Sequence, residues 1–221
     1  MRMRFSFLRL WMCMVCFLFA FNFAFGQTQP DALKYYRNGR SMDSAGRRDD
    51  AQKAYSQAIA ICRQELQANP KNMDSYTVYT WSLFRQGRYA DTVIICNQAL
   101  KIANDVRIIE TLGEAQFFLG DYKESLRQME KYIDMAPCGE RISIAYFYVG
   151  EIYRLTKRFQ KSDIAYSAAV HHEPSNPLWW YRLGITRENA GEKKAALEAY
   201  QRAVRLKGDY KEAAEGIRRL S

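Results

Sequence analysis

The chain has 221 residues, 48% of them hydrophobic and 26% charged, with only five prolines and twelve glycines. That balance excludes a disordered chain, and with no Pro/Gly/Ser-rich divide it points to one continuous folded unit after the N-terminus. The formal charge is +9; Arg2, Arg4 and Arg9 precede residue 27 with no acid beside them, leaving +6 on a remainder where bases and acids mix, as in Glu192-Lys193-Lys194. Mixed charge of this kind describes a solvated helical surface rather than a nucleic-acid patch.

Residues 1–26 open with arginines, continue as an apolar run from Leu10 to Phe25 broken by Asn22, and end in Ala24-Phe25-Gly26. This is the layout of a secretory signal peptide cut before Gln27. The alternative is an uncleaved anchor, although the run is short for a spanning helix. Either way the arginines stay in the cytoplasm and residues 27–221 cross, so the membrane is met only through this N-terminal signal or anchor. Past the leader stand Cys62, Cys96 and Cys138. Three is no disulfide framework: Cys62 and Cys96 are expected as buried thiols, with a bridge between them as the alternative, and Cys138, after Pro137, belongs to a loop. None of the eight asparagines begins an Asn-x-Ser/Thr sequon. The expected location is the periplasm of a Gram-negative bacterium.

From residue 31 a pattern recurs five times: a small residue, another twelve later, a third seven after that. In chain order the sets are Gly39/Ala51/Ala58, Thr80/Thr92/Ala99, Gly113/Ser125/Tyr132, Gly150/Ser162/Ala169 and Gly184/Ala196/Ala203, with first members 41, 33, 37 and 34 apart. Seven residues are about two helical turns, so the second and third members share a helical face. The step of twelve crosses a turn, marked by Gly46, Gly87, Gly120 and Gly191, with Lys157 at that place in the fourth unit. Each unit is therefore two antiparallel helices. Large residues flank the small ones, among them Tyr55, Cys96, Met129, Tyr166 and Tyr200 three before the last member, and they are assigned to the space between helices. Pro70, Pro137 and Pro174 end second helices. The gap of 41 predicts a second helix two turns longer in the first unit, through Cys62–Ala68. The gap of 37, with bulky Tyr132 at a small place, predicts an irregular third-to-fourth junction. Tyr210–Leu220 reads as a lone capping helix with Lys211, Arg218 and Arg219 facing water.

The fifth unit holds Trp180-Tyr181-Arg182-Leu183-Gly184, then Ala196, Tyr200 and Ala203; the third holds Leu112-Gly113, Tyr122 and Pro137; the fourth holds Val149-Gly150, Phe159, Ala169 and Pro174. In these residues the chain resembles the tetratricopeptide repeat (TPR) family over residues 31–208. Asn38 departs from that pattern and makes the first unit degenerate. The resemblance implies an all-α, right-handed superhelical solenoid of five helix-turn-helix repeats plus the capping helix. It also implies a concave face lined by the first helix of each unit.

Three places per unit point to that face: three before, one after and four after the first small residue. They hold Tyr36, Arg40 and Asp43; Thr77, Trp81 and Phe84; Glu110, Glu114 and Phe117; Phe147, Glu151 and Arg154; and Tyr181, Ile185 and Glu188. On this reading the aromatics grip an apolar segment and Glu110, Glu114 and Glu151 hold a basic one. The alternative for Trp81, Phe84 and Phe117 is packing against neighbouring first helices. The family's carboxylate clamp of lysines and asparagines is missing from these places. His171 and His172, the only histidines, diverge on a helix and make no metal site; HExxH, P-loop and GxSxG motifs are lacking. The sequence thus predicts a protein-binding adaptor or scaffold outside the cytoplasm, not an enzyme, with no cofactor and no nucleic-acid partner. The alternative is a structural subunit of an envelope assembly that uses its convex face or its ends.

Overall fold

The structure is a computed structural model that describes residues 31–221. The leader, its cleavage before Gln27 and its reading as signal or anchor lie outside the described residues. Ala32–Ser221 forms one compact unit. Among the described residues the regular structure is eleven α-helices. They pair as α1 Ala32–Ser44 with α2 Arg48–Ala68, α3 Met73–Arg85 with α4 Tyr89–Leu100, α5 Val106–Phe118 with α6 Tyr122–Met135, α7 Ile142–Leu155 with α8 Phe159–His172, and α9 Pro177–Asn189 with α10 Lys193–Leu206; α11, Lys211–Leu220, closes the stack.

The turn inside each pair is one motif used five times. Gly46, Gly87, Gly120 and Gly191 have φ of 76°, 72°, 80° and 83°, and Lys157 is the non-glycine exception at 58°. The following residue donates back five positions, as Arg47 N to Met42 O at 2.9 Å and Arg158 N to Tyr153 O at 2.8 Å. This is a Schellman closure, which requires a left-handed residue and so selects glycine. Second helices end at Ala68, Met135 and His172, two residues before Pro70, Pro137 and Pro174. Helix α2 runs 21 residues, against 12 to 14 for the other second helices, as the gap of 41 requires.

Within each pair the first small residue seats the large residue of the second helix. A Cβ added at Gly39, Gly150 or Gly184 would stand 2.5, 2.8 or 2.5 Å from the ring of Tyr55, Tyr166 or Tyr200, and one at Gly113 would stand 2.9 Å from Met129 Cε. The second unit inverts the sizes: Thr80 faces the smaller Cys96, and both are fully buried. The middle small residue ties the pair where it is serine, with Ser125 Oγ donating to Gly113 O at 2.7 Å and Ser162 Oγ to Gly150 O at 2.9 Å. The capping helix docks on the far side of Tyr200 through Gly216, and Lys211, Arg218 and Arg219 stay exposed. Cys62 and Cys96 are free buried thiols, each pushed up by burial (Cys62 to about 12), and Cys138 is free and exposed.

First helices of successive units touch one another: α1 with α3, α3 with α5, α5 with α7, and α9 with α11. Second helices of successive units share at most marginal contact. The first helices therefore form the crowded inner side of the curve. Among the described residues no helix is long and apolar enough to cross a membrane.

Candidate protein-binding groove

The inner side of the first three units holds a groove of about 580 Å³. Six of the sequence-predicted residues line it: Tyr36, Arg40, Trp81, Phe84, Glu110 and Glu114. Arg85, Arg107, Tyr132 and Arg141 complete its walls together with the α6–α7 loop.

The aromatics pack side by side along the inner face. Trp81 lies against Tyr36 of the preceding first helix (ring centroids 5.4 Å apart), Phe84 meets Phe118 edge-on at 5.6 Å, and Phe117 meets Tyr148 at 5.0 Å. Phe147 stacks on Trp179 at 5.3 Å, and Tyr181 lies between Tyr200 and Tyr210. Trp81, Phe84, Phe117, Phe147, Tyr181 and Ile185 are half-buried, whereas Tyr36 is buried. Trp81, Phe84, Phe117 and Phe147 thus contact neighbouring first helices and still keep part of their surface open. Thr77 is 1% exposed and its hydroxyl donates to Met73 O at 2.8 Å, so its side chain is spent within α3.

The acids behave differently from the sequence expectation of free groups awaiting a basic segment. Glu110 and Glu114 are buried, and Arg141 reaches both, at 2.6 and 2.7 Å. Burial raises both carboxyls; Glu114, further raised by the neighbouring Glu110 charge, is pushed up to about 8. Burial works against the charge on Arg141 as well, but the two carboxylates outweigh it and hold the guanidinium protonated. In the fourth unit Glu151 is buried and accepts from Arg154 at 2.6 Å and from the Tyr166 hydroxyl at 2.5 Å, with Arg182 at 3.1 Å. Asp43 accepts from Tyr55 at 2.6 Å; Glu188 accepts from Tyr200 at 2.5 Å and from Arg219 at 2.9 Å. A large ring seated on glycine thus places its hydroxyl on an acid of its own first helix in units one, four and five.

Arg141 and Arg85 stand outside the three-place register, so the sequence pattern did not single them out. Arg141 is delivered by the irregular junction that the gap of 37 foretold. Tyr132, bulky where other units are small, takes the Arg141 backbone N–H on its hydroxyl at 3.3 Å and lies against Gly139. It thereby props up the six-residue loop 136–141 that carries Arg141 back to α5. Among the described residues no group of three or more His, Cys, Asp or Glu is arranged to hold a metal ion.

A family model described as tetratricopeptide repeat matches residues 165–211, that is, the end of the fourth unit and all of the fifth. Tetratricopeptide repeat protein 6 of Homo sapiens is 23% identical over 121 residues, 55% of this chain and 23% of that protein. The peroxisomal targeting signal receptor of Kluyveromyces lactis is 22% identical over 178 residues, 72% of this chain and 31% of that protein. The chain therefore spans about a quarter to a third of the length of these curated relatives. Among solved structures, MamA from Desulfovibrio magneticus RS-1 is similar at TM-score 0.64 and 19% identity, covering 83% of this chain and 99% of that one. YrrB, described as a TPR protein with an unusual peptide-binding site, is similar at TM-score 0.60 and 18% identity, covering 90% and 98%. At these identities the likeness is one of fold: a TPR solenoid.

Proposed function

We propose that this chain is a non-catalytic adaptor that holds a segment of another protein in the groove of its first three units, and that it does so outside the cytoplasm. The observation that supports this reading most is the groove itself, an opening of about 580 Å³ with half-buried Trp81 and Phe84 in its wall. Large rings with open surface gain by being covered, and a partner side chain in such a setting is a typical anchor contact. The TPR relatives and the peptide-binding site named for YrrB point the same way. Export rests on the leader sequence, with its arginines, apolar run and Ala24-Phe25-Gly26.

The test is capture of partners from the cell envelope by the tagged full chain and by Trp81→Ala. The variant should keep its helical circular dichroism and lose at least tenfold in capture, since a truncated anchor often costs 2 kcal/mol and about 1.4 already gives tenfold. Undiminished capture would shift the reading to an assembly subunit that works through its outer face. There Ile94 and Ile164, on second helices, are 55% and 71% exposed. N-terminal sequencing of the cellular protein tests export: Gln27 is expected, and Met1 retained in a soluble cytosolic pool would refute it.

A further inference from the structure

We infer that the occupant of the groove is an acidic segment whose side-chain carboxylates lie between Arg40 and Arg85, a step that rests on the groove reading above. Charge accounting on the inner face supports it. The acids of the first helices that the sequence offers to a basic ligand are already engaged: Glu110 and Glu114 by Arg141, Glu151 by Arg154 and Arg182, Glu188 by Arg219. A cationic segment reaching Glu110 or Glu114 would have to displace Arg141 from two buried carboxylates.

The arginines of the groove divide the other way. Arg107 is tied to Asp74 at 2.8 Å and to Asp105 at 2.6 Å, and Arg141 is tied as described. Arg40 and Arg85 line the same groove, are exposed, and among the described residues have neither an ion pair nor a hydrogen bond through their guanidinium groups. Arg40 lies one residue past the Gly39 seat on α1, and Arg85 ends α3. The Arg85 charge favours the ionised forms of both Tyr55 and Glu114, in keeping with its place in the groove lining. Against these two cations the loop sets one exposed acid, Glu140. A guanidinium presents paired donors that fit a carboxylate bidentately. Tyr36 on α1 and Trp81 on α3 pack together in the wall of the same groove, so apolar side chains alternating with acids have a surface to lie on.

The experiment uses the purified full chain and three matched sets of fluorescent decapeptides, N-acetylated and C-amidated so that no terminal carboxylate contributes. The sets share leucine and phenylalanine positions and differ only in carrying glutamate, glutamine or lysine between them. Anisotropy should show the glutamate set bound at least tenfold more tightly than the lysine set, with the margin shrinking as salt rises. Arg40→Gln with Arg85→Gln should abolish that margin while the helical circular dichroism stays as in the parent. Preference for the lysine set, or a glutamate preference that survives in the double variant, overturns the inference while the groove reading stands. If none of the three sets binds, the groove reading fails and the inference falls with it.

Discussion

Two charge clusters sit on neighbouring first helices, and they are unbalanced in opposite directions. On α5, Glu110 and Glu114 share one guanidinium, that of Arg141, which keeps 41% of its side-chain surface open. On α7, the single carboxylate of Glu151 has Arg154, Arg182 and the Tyr166 hydroxyl around it. Glu114 and Glu151 occupy the same repeat position, one after the first small residue, yet one stands in excess of its cation and the other is outnumbered by cations. The difference comes from the second helices and the loops. Unit three has Met129 where unit four has Tyr166, so its acids receive no hydroxyl, and a loop residue supplies the cation instead. The repeat register fixes where an acid sits; non-register residues decide what it does there.

The largest break in this comparison should come from Arg141→Ala. It leaves two buried carboxyls without their shared partner, and losing one side of a buried ion pair costs about 3–5 kcal/mol. The loop 136–141 would lose its tether as well. Chemical denaturation followed by circular dichroism should show the loss, whereas Arg154→Ala should cost clearly less because Glu151 keeps Arg182 and Tyr166. Equal costs would mean that the two clusters are equivalent after all. Glu151→Gln comes next, at about 1.5–3 kcal/mol, the range for hydrogen bonds to charged groups, since two guanidiniums lose their anion. Tyr166→Phe should cost about 1 kcal/mol by removing a single donor while the ring stays seated on Gly150.

Much of the fold was legible because it depends on backbone geometry that few residue types satisfy. The left-handed turn position selects glycine in four units, and its counterpart Lys157 was located by spacing alone. The seat opposite Tyr55, Tyr166 and Tyr200 admits nothing larger than glycine, so a period of small residues reported the helix pairs. The family model nevertheless matches only residues 165–211, where Trp180, Gly184 and Tyr200 stand together; elsewhere pairs such as Thr80 with Cys96 keep the volume while changing both residues. The groove was legible in part. Register placed Tyr36, Arg40, Trp81, Phe84, Glu110 and Glu114 on one wall. It did not show that the acids are taken, because Arg141 lies 27 residues from Glu114 across a loop, and such a pairing follows from tertiary structure alone.

The last substitution has a small effect at pH 5 and reads the acid-rich cluster most directly through its pH dependence. Glu114, raised by burial and by Glu110, holds its proton in the folded state to about pH 8, against an ordinary value of 4.5. Between those values the folded chain binds more protons at this site than the unfolded chain does. Stability therefore falls as pH rises through that window, the reverse of the usual salt-bridged carboxylate. The charged groups around the site are Glu110, Arg141, Arg85 and the Tyr148 hydroxyl, whose own proton is held tighter by burial and by the two acids. Glu114→Gln removes the titrating group and leaves Glu110 with Arg141 as a balanced pair. At pH 5 the variant should lie within about 1 kcal/mol of the parent, as a near-isosteric replacement of a carboxyl that is already neutral there. From pH 5 to pH 8.5 the parent should lose stability relative to Glu114→Gln. Denaturation midpoints measured at half-unit intervals give the two slopes, and parallel slopes would mean that Arg141 keeps both carboxyls ionised throughout and that the cluster on α5 carries a buried negative charge at neutral pH.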